Sequence, residues 1–237
     1  MSSREPTIPS GAAPDNARRL PGRAPTRQEL PAATLAVLQP GEPDKADVLL
    51  VDLGDGPMVV KDFARKAWWV RLLGRIQIAR EVRAYRWLGR MRGIPALIGR
   101  VDGLALAIEH IEGERVAFLA NPREHGEDRL SGLRDLIDRL HAAGVVHNDL
   151  RGRENLLVRP DGEVVVLDLA GAARLRPGGI PHRLLFRLLA IADEAAYLKW
   201  KQLLTPGRLT PGEEAFLRRF RRVRALWPFN RKGRARR

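Results

Sequence analysis

Residues 145–158, VVHNDLRGRENLLV, and the run VVVLDLAGA at 164–172 decide how this chain is read. Immediately before them, Leu130, Leu133, Ile137 and Leu140 recur at helical spacing, and Gly144 stands where a helix would stop. That pattern predicts a helix over 127–143. The runs 156–158 and 163–168 are β-rich and flank Asp161-Gly162, a turn signal between two strands. Helix, polar loop and hairpin therefore present Asp149, Asn155 and Asp168 near element ends. Each residue alone has a plainer account: Asp149 caps a turn after the helix, and Asp168 ends a strand.

Working upstream, 48–53 and 58–63 read as strands around the turn Asp55-Gly56-Pro57. A helical region follows over 65–91, with Ile78, Val82, Tyr85 and Leu88 on one face. Two short strands, 96–101 and 104–111, are joined by Asp102-Gly103, a favourable two-residue turn. Glu81 lies on the apolar stripe of the helix, where a carboxylate is costly unless paired. Lys61, in VVKDF on the second strand, is its natural partner. The alternative makes Lys61 an ordinary edge-strand lysine and Glu81 a solvated residue. Everything after Gly171 is helical in flavour, including 184–204 and a last helix from about 211. The order predicts an α+β chain: a small sheet-rich lobe, then a mostly helical one, with a cleft between them.

The stretch from His147 through Asp149 and Asn155 to Asp168 resembles the protein-kinase catalytic loop and its metal-binding hairpin. The resemblance implies a two-lobed protein-kinase-like fold, ATP as a substrate and Mg²⁺ (or Mn²⁺) as cofactor. It implies that Asp149 is the base for an attacking hydroxyl, that Asn155 and Asp168 hold the metal, and that Lys61, paired with Glu81, meets the α and β phosphates. Departures are informative. There is no Gly-x-Gly-x-x-Gly before Lys61, which leaves 38–47, LQPGEPDKAD, to cover the phosphates. Asn148 replaces the arginine that reads a phosphorylated activation loop, so control by that route is not expected. Asp149 to Asn155 spans one residue more than usual, which makes Glu154 a rival ligand if the loop is not bulged. Asp168-Leu169-Ala170 replaces Asp-Phe-Gly, and the short run after Gly171 leaves little room for a peptide-docking segment. With these features the chain is similar, from about 48 to 226, to the bacterial RIO-like and lipopolysaccharide-core (Kdo/heptose) kinases, whose loops include the extra residue and favour Asn155. The resemblance implies phosphotransfer to a hydroxyl, on a protein serine or threonine or on a lipopolysaccharide sugar. A non-catalytic pseudokinase, or a basic module binding nucleic acid or membrane, is the other class of reading.

Composition sets the outer bounds. The 237 residues allow one sizeable domain or two small lobes. The absence of cysteine excludes disulfides and thiolate metal sites. The opening residues hold no apolar stretch of secretory type, and no run reaches the length of a spanning helix, so a cytoplasmic or membrane-peripheral protein is expected. Net charge is +14, but 215–237 carries ten Lys or Arg and no acid, which leaves +4 elsewhere. The charge therefore belongs to a tail that suits an anionic membrane surface, RNA phosphates, or solvent. Residues 1–31, rich in Pro and Arg, are expected to form an unpacked arm, followed by an N-lobe over 32–112, a C-lobe over 113–214 and the tail over 215–237. His141 and His147, six apart with no cysteine partner, make a zinc site improbable; His147 is expected to brace the loop. Trp68 and Trp69 are expected in the core or at the lobe interface.

Overall fold

The computed structural model describes residues 20–116, 118–152, 154–175 and 179–225. A one-turn helix α1 (Leu30–Ala33) leads into β1 (Thr34–Gln39), β2 (Asp47–Asp52) and β3 (Pro57–Asp62). Helix α2 (Trp68–Leu88) follows, then β4 (Leu97–Arg100) and β5 (Ala105–Glu109). The five strands form one antiparallel sheet in the order β1-β2-β3-β5-β4. The second part holds β6 (Glu114–Arg115), α3 (Gly126–Ala142), β7 (Val145–Val146), β8 (Leu156–Val158), β9 (Val164–Val166), β10 (Ala173–Arg174), α4 (Gly179–Leu204) and α5 (Pro211–Ala225). The chain is thus α+β and two-lobed in the manner of a protein kinase, sheet-rich first and helical second.

Strand periodicity decides where Lys61 points. Side chains alternate across a strand, and Met58 and Val60 of β3, with Ala105 and Ala107 of β5, face a small core closed by Leu30. The opposite parity sends Val59, Leu106 and Ile108 toward α2, where they join Ile78, Val82 and Tyr85. Lys61 shares that parity and pairs in register with Leu106. The same apolar cluster continues into the second lobe through Leu133, Leu136, Ile137 and Leu140 of α3 and Trp200 of α4. Gly144, at φ 71°, ends α3 in the left-handed region that glycine enters without strain.

Four expectations need correction. Strand β1 is absent from the sequence reading because Leu35 and Val37 face solvent, so no apolar face marks it; pairing with β2 makes it a strand. The arm expected through residue 31 is packed from Gly22 onward. Arg23 meets Glu29 at 2.6 Å, Arg27 bridges Asp62 at 2.5 Å and Asp102 at 2.8 Å, and Leu30 is buried. Ion pairs tie this stretch down where apolar area is scarce; residues 1–19 lie outside the described residues. The β4–β5 connection is four residues long, not two, because Asp102 is drawn to Arg27 and to the N–H of Leu104. Finally, Trp68 and Trp69 are exposed, not in the core. The last helix expected from about 211 is α5, which carries the basic stretch as far as Ala225; 226–237 lie outside the described residues.

Candidate active site

Lys61 and Glu81 are brought together as expected. Both are buried, and the ammonium donates directly to the Glu81 carboxylate. Their elements explain the meeting: β3 parity turns Lys61 toward α2, and the stripe of Ile78, Val82 and Tyr85 turns Glu81 toward the sheet. Asp168, just beyond β9, completes the group with Oδ1 3.0 Å from Lys61 Nζ. Burial opposes the charge on Lys61, yet the Glu81 and Asp168 carboxylates hold its pKa above the ordinary lysine range. Burial likewise opposes ionised Asp168, but Lys61 and the Ala170 N–H, which donates to Oδ1 at 2.8 Å, hold the carboxyl below its usual range. Tyr85 donates its hydroxyl to the Leu167 carbonyl at 3.3 Å, which ties α2 to the strand end that carries Asp168.

Asp149 lies in the loop between β7 and β8, with its side chain exposed. Asn155 Nδ2 donates to the Asp149 carbonyl at 2.8 Å and to its Oδ2 at 3.3 Å. The amide nitrogen is thereby fixed on Asp149, and the Asn155 carbonyl oxygen is the atom left to face a cation. Glu154, the rival ligand, is exposed and accepts from Gln39 of β1 at 3.4 Å, so it links the loop to the first lobe. Residues 40–46, within the 38–47 stretch, join β1 to β2. Lys66 holds it by donating to the Gly41 carbonyl at 3.0 Å and to Asp47 at 2.8 Å. A Cβ on Gly41 would lie 2.3 Å from the Ala46 carbonyl oxygen, so this tight turn admits glycine alone.

Sequence reasoning missed the residue that holds the loop. Asp193 of α4 is fully buried and accepts from the backbone N–H groups of His147 and Asn148, each at 2.8 Å, while His141 Nε2 lies 3.0 Å from its Oδ2. The two histidines thus converge on a carboxylate. His147 Nδ1 in turn accepts the Asp149 N–H at 3.3 Å, the bracing role expected for it, and burial pushes its pKa below the ordinary 6.5. Asn148 sits at φ 64°, where asparagine is better tolerated than most residues, and its side chain donates to the Gly171 carbonyl at 3.2 Å. Trp200 and Lys199 add donors to the Leu150 and Arg151 carbonyls, at 2.8 and 2.5 Å. The signal for Asp193 was legible: it shares a helical face with Ala196 and Trp200, the same anomaly that marked Glu81.

Among the described residues no group of three or more His, Cys, Asp or Glu could hold a metal ion. The donors available to one are the Asp168 carboxylate and the Asn155 amide oxygen, a hard-oxygen pair that fits Mg²⁺ if phosphate oxygens and water complete the shell. Two open hollows, along 120–124 and between α3 and α4 around Arg134, Tyr197 and Lys201, contain none of these residues. Chemically, the cluster offers a paired cation, two oxygen donors and an exposed carboxylate on a loop whose first N–H groups Asp193 holds.

Comparison with known proteins gives a distant and partial likeness. Over 152 residues, 61% of the chain, it is 30% identical to a probable bifunctional tRNA threonylcarbamoyladenosine biosynthesis protein of Methanoculleus marisnigri. The aligned part makes up 27% of that relative, so the chain spans about a quarter of its length. No family model matches the chain.

Proposed function

We propose that this protein is an ATP- and Mg²⁺-dependent phosphotransferase that moves the γ-phosphoryl group to a hydroxyl. The observation that carries the proposal is the buried Lys61–Glu81 pair with the part-exposed Asp168 beside it, next to a loop whose backbone is clamped by Asp193. Lys61 binds the α and β phosphates, and Glu81 keeps its ammonium aimed. Asn155 and Asp168 would hold Mg²⁺, which when bound offsets the charge of the phosphate oxygens. Asp149 orients the acceptor hydroxyl and takes its proton as the oxygen–phosphorus bond forms and the bond to the β-phosphate oxygen breaks, releasing ADP. Positioning and electrostatics supply most of the acceleration, and the clamp on 147–151 limits motion of the base.

Among acceptors, a protein serine or threonine, as in RIO-like kinases, is the reading we prefer, with a lipopolysaccharide-core sugar as the alternative. The decisive assay incubates purified protein with labelled ATP, first alone and then with a cell-envelope extract. Label on protein supports the first acceptor and label in the lipid fraction the second. Absence of both transfer and ATP hydrolysis would leave a nucleotide-binding pseudokinase. The likeness to a protein of tRNA modification favours a second reading, a nucleic-acid-associated factor, for which salt-dependent tRNA binding is the test.

A further inference from the structure

Helix α2 turns two unlike faces outward and inward. Its inner face carries Val70, Ile78, Glu81, Val82, Tyr85 and Leu88. Its outer face carries Trp68, Trp69, Leu72, Leu73 and Ile76, with Trp68 77% exposed and the three aliphatic side chains each more than half exposed. At 100° per residue these five fall within one arc, so they form a contiguous patch over the first three turns. The helix holds five arginines, at 71, 75, 80, 83 and 86, all exposed, and its one acid, Glu81, is buried. Arg65 adds a further exposed cation just before it. None of Arg65, Arg71, Arg75, Arg80 or Arg83 has an ion-pair partner among the described residues.

An exposed apolar patch of this size asks for a cover, and its chemistry is specific. Paired tryptophans and aliphatics flanked by arginines with no acid match an anionic lipid interface, where rings and alkyl chains enter the headgroup boundary and guanidinium groups meet phosphates. Residues 1–19 and 226–237 are poor covers. Residues 1–19 offer only Met1 and Ile8 as large apolar side chains and have no net negative charge, while 226–237 are basic like the face itself. Among the described residues no helix is long and apolar enough to cross a membrane, so the fit is to a surface. We infer that the outer face of α2 docks this protein on anionic membranes. This inference stands apart from the phosphotransfer reading.

The test is flotation of the full chain with vesicles of phosphatidylglycerol and phosphatidylethanolamine, against vesicles of phosphatidylcholine alone. The wild type should bind the anionic vesicles and lose binding in high salt. Trp68→Ser/Leu72→Gln/Ile76→Gln, and separately Arg71→Glu/Arg75→Glu, should each weaken partition about tenfold or more. Melting temperature and ATPase rate in solution should stay unchanged, because these side chains touch no part of the Lys61–Asp168 cluster. A Trp227→Phe chain should still show tryptophan quenching by brominated lipid, placing the α2 indoles in the interface. Three results would overturn the inference: no vesicle binding by wild type, binding retained by both variants, or a dimer in solution that the apolar variant converts to monomer without any vesicle binding, which would make the face a contact between copies.

Discussion

Asp149 and Asp193 divide the work of one loop between a reactive carboxylate and a structural one. Asp149 is exposed and its side chain accepts from Asn155, so its loss should leave folding intact. Asp149→Ala should lower turnover by about 10²-fold or more while the Mg-ATP-dependent rise in melting temperature persists; steady-state kinetics and thermal shift check the two halves. Asp193 accepts two backbone N–H groups, buried at His147 and part-buried at Asn148, and without it the first would stay dry and both would lose their partner. Asp193→Ala should therefore cost about 2–4 kcal/mol of stability, read by denaturant unfolding, and should slow turnover through a disordered loop. Asp168→Ala should abolish metal-dependent nucleotide binding and leave Lys61 with Glu81 as its remaining partner.

At the scale of elements, α2 is the part that links packing to chemistry. It lies against Phe63 just after β3, and Gly74 makes the approach possible. A Cβ at Gly74 would come within 2.6 Å of the Phe63 ring, which is itself buried and unable to swing away. Gly74→Ala should therefore push α2 outward, destabilise the fold by about 1–3 kcal/mol as overpacking does, and separate Glu81 from Lys61. The expected kinetic signature is a raised KM for ATP with folding retained, whereas an unchanged KM would show that the Lys61–Glu81 pair tolerates movement of the helix. The short strands β8 and β9 serve a related purpose. Antiparallel pairing brings Asn155, just before β8, and Asp168, just after β9, to the same open end of the hairpin, and the Leu167 N–H to Asn155 backbone carbonyl bond at 3.0 Å extends the pairing there.

Across the whole molecule, the buried His147 and the part-buried Asp168 make stability depend on pH in separate windows. His147 binds its proton less readily in the folded chain than at its ordinary value of 6.5. Its contribution is complete above that value and is lost as pH falls toward the lowered folded value. The melting temperature should decline as pH falls below about 6.5, and His147→Gln, which removes the titration, should flatten that decline. Asp168, lowered from 3.8 by Lys61, acts in a more acid range. The apolar cluster that runs from Ile78 through Leu106 to Leu140 and Trp200 joins both lobes, so acid loss at either site should appear in one cooperative transition.

Much of the site was readable because its residues violate local expectation. Glu81 on an apolar stripe demands a cation, and Lys61 is the cation that the strand offers; the physical cost of an unpaired buried charge forces the pairing wherever the helix packs on the sheet. The sequence of helix, polar loop and hairpin from 127 to 168 was likewise set by side-chain periodicity and turn chemistry, which act over a few residues. Strand β1, the ion-paired stretch from Gly22 to Leu30 and the clamp from Asp193 to His147 and Asn148 were not of that kind. β1 pairs with residues 9 to 17 positions on, Asp193 reaches back 46 and Arg27 reaches Asp102 across 75, and nothing local selects one acid or one edge over another. Trp68 and Trp69 make the same point in reverse: residue type favours burial, but the turn on which they stand faces away from the sheet, and the direction of a helix face is set by what packs beneath it.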